Sequence, residues 1–226
     1  MSTSNTSENG VSSTPESPEP QAKTTSAVAG SPRPAGRWRV VDIVVASVLA
    51  VAVGVIFWLW SIGYAGIAII TVIFPPLGGL YGGGWLIAGV IGGLVIRKPG
   101  AALYCELMAA VVEALLGSHF GLTVLLSGLL QGLGAELVFA IFLYRKFNLP
   151  IALLAGALSG VGMGIVDNLV YNAEWEIPWK IVYLVFGAIS GALIAGLLSW
   201  LAVRGLAKTG ALANLGSRRA AVEPAV

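Results

Sequence analysis

Chemistry in this chain starts with acidic side chains set in apolar sequence. Glu106, Glu113, Glu136 and Asp167, with Asp42 at an edge, lie in or beside long apolar runs that contain no Lys or Arg. A carboxylate in hydrocarbon is costly unless it faces a partner, a cavity or a proton, so such residues mark ligand or ion sites. Glu106 and Glu113 are two helical turns apart on nearly one face. Gln131 and Glu136 sit roughly 140° apart around a helix and cannot both look straight into one cavity. Asp167 and Tyr171 face the same way, beside Asn168. Counted along their runs, Glu113, Gln131, Asp167, Asn168 and Tyr171 fall in the outer half, and Glu106 and Glu136 lie deeper. The expected arrangement is an outer site for something polar and cationic. The deeper pair either joins that site or is satisfied by backbone and hydroxyl groups. Asp42 reads as an N-terminal charge favoured by the helix dipole.

These residues need helices to hold them. The 226 residues are 57% hydrophobic and only 11% charged, where soluble domains carry about 25% charged residues. The reading is an all-α polytopic membrane protein. Six runs are long enough or nearly so: Val40–Ser61, Leu80–Ile96, Ala101–Gly117, Leu122–Tyr144, Pro150–Tyr171 and Trp179–Val203. Residues 37–207 form the membrane domain, residues 1–36 a Ser/Pro/Glu-rich disordered tail, and residues 208–226 a C-terminal tail. With six spans and both termini cytoplasmic, every Lys and Arg near a span end except Lys180 falls inside. That bias makes Gly63–Gly79, broken by Pro75-Pro76 and Gly78-Gly79, an apolar re-entrant loop rather than a seventh span. Trp58, Trp60, Tyr64, His119, Trp175, Trp179 and Tyr183 then lie outside. They form an interfacial belt or a stacking wall for an aromatic ligand, and Trp58 and Tyr64 are taken as candidate contacts.

Several classes of function find no residues here. Net charge is +2, which argues for no nucleic-acid partner. One Cys and one His leave no internal disulfide and no multi-histidine or cysteine metal cage. No phosphate-binding loop, Gly-x-Ser-x-Gly or His-Glu-x-x-His occurs, so neither ATP hydrolysis nor a familiar hydrolytic set is expected. No cofactor is called for. Small residues recur at four-residue spacing: Ala46, Ala50 and Gly54; Gly156, Gly160 and Gly164; Gly187, Gly191 and Ala195. Such stripes let backbones approach closely in lipid. The last two read as internal packing, while the first either packs or docks another membrane subunit.

The run Ile96-Arg97-Lys98-Pro99-Gly100-Ala101-Ala102-Leu103, then Glu106, Ala109-Ala110, Val112-Glu113 and Leu115-Leu116-Gly117, resembles the YkoE family, as does Gln131-Gly132-Leu133-Gly134-Ala135-Glu136 with Phe139. The likeness is most specific over 96–139 and extends across about 38–207. These are substrate-binding S components of energy-coupling-factor (ECF) transporters. The resemblance implies a non-catalytic six-helix bundle in a prokaryotic plasma membrane that takes thiamine, or its hydroxymethylpyrimidine (HMP) moiety, from outside. It implies a transmembrane T component and two ATPases as partners, with docking through an Ala-x-x-x-Ala stripe such as Ala46 and Ala50. The alternatives are an S component for another small vitamin, a membrane enzyme using paired carboxylates, or an assembly subunit that binds nothing.

Overall fold

The computed structural model describes residues 36–226, and residues 35–226 form one unit. The expected disordered tail, 1–36, lies outside the described residues but for Gly36. Among the described residues every regular element is helical. α1 spans Val40–Thr71, α2 Gly78–Tyr81, α3 Ile87–Ile96, α4 Ala101–Leu115, α5 Thr123–Ile141, α6 Leu149–Val170, α7 Ile177–Ser190 and α8 Leu198–Lys208. Short 3₁₀ turns at Pro75–Leu77 and Gly82–Leu86 flank α2, and a π-helical stretch, Gly191–Leu197, joins α7 to α8.

Five segments among the described residues are long and apolar enough to cross a membrane: Val40–Ile67, Pro75–Ile96, Thr123–Ile141, Leu149–Val170 and Ile177–Lys208. The sixth expected span is α4. Its 15 residues reach about 22 Å, short of a hydrocarbon core of about 30 Å. α4 packs against α1, α3 and α5.

The re-entrant loop expected at Gly63–Gly79 is corrected. α1 continues without a break to Thr71. Gly63 and Gly66 weaken a helix by only about 1 kcal/mol each, and the backbone breaks where Pro75-Pro76 enters a 3₁₀ turn. The second membrane segment then begins at Pro75 rather than Leu80. It is broken rather than straight. The Ser190 hydroxyl mends the break: it accepts from Gly83 N (3.0 Å) and donates to Leu80 O (2.5 Å).

The glycine stripes of α6 and of α7 with its π extension face each other. A Cβ on Gly160 would run into Gly187 O, and one on Gly156 into Gly191 O. The first stripe is also internal. Ala46 and Ala50 are fully buried, and a Cβ on Gly54 would meet Val112 and Ala109 of α4. In this structure the stripe offers no open surface to another subunit. The outward side of α1 instead carries Val44, Val48, Val51, Val55 and Leu59.

The two ends of the bundle differ. At one end Asp42 accepts from Arg39 N (2.7 Å), Arg39 Nη2 (2.9 Å) and Lys98 Nζ (2.5 Å), which ties the start of α1 to the α3–α4 turn. Arg97 at that turn has φ 58° and closes α3, and Gly100 at φ 83° opens α4. The C-terminal segment folds back onto the same end. Leu212, Leu215 and Ala220 enter the core, Ser217 Oγ donates to Val95 O, and Arg97 grips the Glu223 carboxylate with two bonds of 2.7 and 2.6 Å. Both ends of the described chain therefore lie with most of its basic residues. The α1–α2, α4–α5 and α6–α7 connections meet at the opposite end.

Candidate functional site

A cavity of about 220 Å³ lies beneath those three connections. Its wall includes Glu113 from α4, Gln131 from α5, Asp167 from α6, Tyr171 and Tyr64, all expected from sequence. Trp85, Phe120, Trp175 and Tyr183 complete an aromatic lining, and Met163 and Phe57 add apolar surface. No Lys, Arg or His is among the lining residues.

Glu113 is 2% exposed. Its Oε1 accepts from Ser61 Oγ (2.5 Å) and Ser118 Oγ (3.1 Å). Ser61 accepts in turn from Trp85 Nε1 at 3.1 Å. The same Trp85 ring N–H also reaches toward this carboxylate, and no hydroxyl or backbone N–H of the described residues is bonded to Oε2. Asp167 is similar: Oδ2 accepts from Tyr183 OH at 2.6 Å, and Oδ1 has no donor among the described residues. The Gln131 side chain is buried, lines the cavity and bonds to none of the described side chains. It lies deeper than Asp167, level with Gly162, where a Cβ would come within 3.2 Å of Gln131 N. Two carboxylates thus keep one oxygen each for a guest, and an amide below them offers a donor and an acceptor.

The remaining expected contacts lie outside the cavity wall. Glu136 is saturated by the start of α4. Its Oε1 accepts from Gly100 N (2.5 Å) and Tyr144 OH (2.7 Å), its Oε2 from Ala102 N (2.9 Å) and Leu103 N (3.2 Å). These N–H groups have no intrahelical acceptor, and a carboxylate there suits the helix dipole. Burial, then the bond to Glu136, pushes the Tyr144 phenol above its ordinary range, so it stays a donor. Glu106 is fully buried, and its Oε2 accepts from Gly89 N (2.5 Å) in the first turn of α3. Asn168 donates to Lys180 O (3.0 Å) and joins α6 to α7. Trp58 is half-buried on α1, away from the lining.

Sequence reasoning missed Ser61, Ser118, Trp85 and Phe120. The signal for Ser118 and Phe120 lies in the sequence: Gly117 and Gly121 bracket Ser118-His119-Phe120, and both take positive φ, 91° and 61°. Phe120 sits with its ring centroid 5.7 Å from Tyr64, 5.6 Å from Trp85 and 5.6 Å from Tyr171. Thr123 Oγ1 donates to Phe120 O (2.6 Å) and also bonds the Tyr171 hydroxyl.

The arrangement suits a small flat organic cation. Aromatic faces attract cations and stack on rings, and the half-open carboxylates supply opposite charge. Among the described residues no group of three His, Cys, Asp or Glu side chains could hold a metal ion.

Comparison with known proteins agrees with the geometry. A family model described as the permease component of an ABC-type cobalt transport system matches residues 41–162. The putative HMP/thiamine permease protein YkoE of Bacillus subtilis (strain 168) is 39% identical over 130 residues, 55% of this chain. The chain spans 61% of the length of that curated relative. A crystal structure of an S component of an ECF transporter superposes with a TM-score of 0.73 at 38% identity, covering 80% of this chain and 91% of the other. The chain, a multi-pass membrane protein, belongs to the family of these permease components, in its YkoE-like branch of ECF-transporter S components.

Proposed function

We propose that this chain captures thiamine, or its HMP moiety, from outside the cell and delivers it inward as the non-catalytic S component of an ATP-driven importer. A T component and two ATPases are its partners in this reading. Both termini are cytoplasmic and the cavity faces outward. The observation that carries the ligand assignment is the cavity itself, where Glu113 and Asp167 each hold a free oxygen among Tyr64, Trp85, Phe120, Tyr171, Trp175 and Tyr183. The thiazolium of thiamine is a permanent cation, and its aminopyrimidine edge needs a donor and an acceptor of the kind Gln131 and Glu113 present. The name of the Bacillus relative points the same way.

Purified protein titrated with thiamine, with HMP and with unrelated vitamins tests the reading. Tight binding of thiamine or HMP, strongly weakened in Glu113→Ala and Gln131→Ala, is the expected result. Unchanged affinity in both variants would remove this site. Mass spectrometry of whatever co-purifies identifies the ligand directly.

A further inference from the structure

The residues between α4 and α5 are built as a flap over the cavity, and their attachment runs through a ligand-site carboxylate. Gly117 and Gly121 mark its two ends in the left-handed backbone region, which favours glycine. Between them Phe120 turns its ring into the cavity wall, where it touches side chains of three other segments: Tyr64, Trp85 and Tyr171. Ser118 is the flap's polar anchor. Its hydroxyl donates to Glu113 Oε1 at 3.1 Å and accepts from Phe120 N at 3.3 Å. Ser61 on α1 donates to the same oxygen. One carboxylate oxygen therefore joins α1, α4 and the flap, while the other stays open to the cavity.

We propose that Ser118 is a positioning residue that latches the 116–122 flap over the bound ligand through Glu113. Removing its hydroxyl loosens the flap and leaves Glu113 held by Ser61 and the Trp85 ring N–H beside it. The charge of Glu113 and its cavity-facing oxygen stay in place, so the loss falls on retention of the ligand more than on recognition. The proposal relies on the thiamine reading only for the choice of ligand.

Two measurements on the full chain in detergent test it. The first needs no ligand: amide hydrogen exchange over 116–122. Ser118→Ala is expected to raise exchange there about tenfold, the worth of one hydrogen bond to a carboxylate, with α5 and α6 unchanged, and Ser118→Thr is expected to restore the wild-type rate. The second is stopped-flow tryptophan fluorescence with thiamine. Ser118→Ala is expected to speed dissociation about tenfold with a smaller change in association. Wild-type exchange over 116–122 in Ser118→Ala would overturn the latch, as would faster exchange spread equally through α5 and α6. A wild-type protein that binds no thiamine, yet shows the local exchange effect, would leave the latch standing and remove the ligand assignment.

Discussion

Glu113 and Glu136 show how two identical side chains in apolar helices take opposite roles. The difference lies in how many donors meet each carboxylate. Glu136 has all its partners inside the chain, three backbone N–H groups and the Tyr144 hydroxyl. Glu136→Ala is therefore expected to destabilise the protein by about 2 kcal/mol or more, because it strands three part-buried backbone donors. A thermal melt in detergent reads the loss, and thiamine affinity of the folded fraction should hold. Glu113→Gln and Asp167→Asn keep shape and remove charge. Each is expected to weaken thiamine binding by roughly tenfold or more with a melting temperature close to wild type, as isothermal titration beside the melt would show. A melting loss without an affinity loss would make these two acids structural. The sequence shows that a polar side chain sits in an apolar run, and so singles out Glu113, Gln131 and Asp167, which line the cavity. It does not show which backbone termini will face that side chain. For Glu106 and Glu136 the sequence allows two readings that only packing separates.

Helix-scale features divide along the same line between local and non-local causes. The α6 and α7 stripes were legible because four-residue spacing of glycine has a local geometric meaning. The structure gives that meaning a contact, with Gly160 against Gly187 O. Gly160→Val should push apart the pair that walls one side of the cavity. An expected loss of about 2 kcal/mol or more would appear as a lower melting temperature and broadened size-exclusion profile. Gly205, with open space where a Cβ would go, should tolerate Ala. The stretch after Ser61 was misread because it is uniformly apolar and its glycines resemble breakers. The helix persists because nothing removes a backbone donor before Pro75. The break in the second segment is stabilised by Ser190, more than a hundred residues away, and no local pattern announces such a partner. The junction at Ser61, whose partner Glu113 is 52 residues on, is hidden for the same reason.

Across the whole molecule, most of the positive charge and the cavity occupy opposite ends, and that separation bears on which way the cavity opens. The basic end is fastened by Asp42, by the Arg97–Glu223 pair, and by Arg204, which donates to the carbonyls of Ala221 and Glu223. The cavity end holds Glu174 and Glu176 on its exposed loop and the two half-satisfied acids beneath. Positive charge is retained on the cytoplasmic side, so the cavity should open outward. Impermeant maleimide labelling of single cysteines in intact cells tests this directly. Cys105 is fully buried, so a Cys105→Ala background removes it as a competing target. His119→Cys, exposed within the flap, is expected to react from outside. Arg218→Cys, exposed on the folded-back C-terminal segment, is expected to react only after permeabilisation. The opposite pattern would place the carboxylates on the cytoplasmic face. A site there would meet its ligand only after the membrane had been crossed, and capture from outside could not be its task.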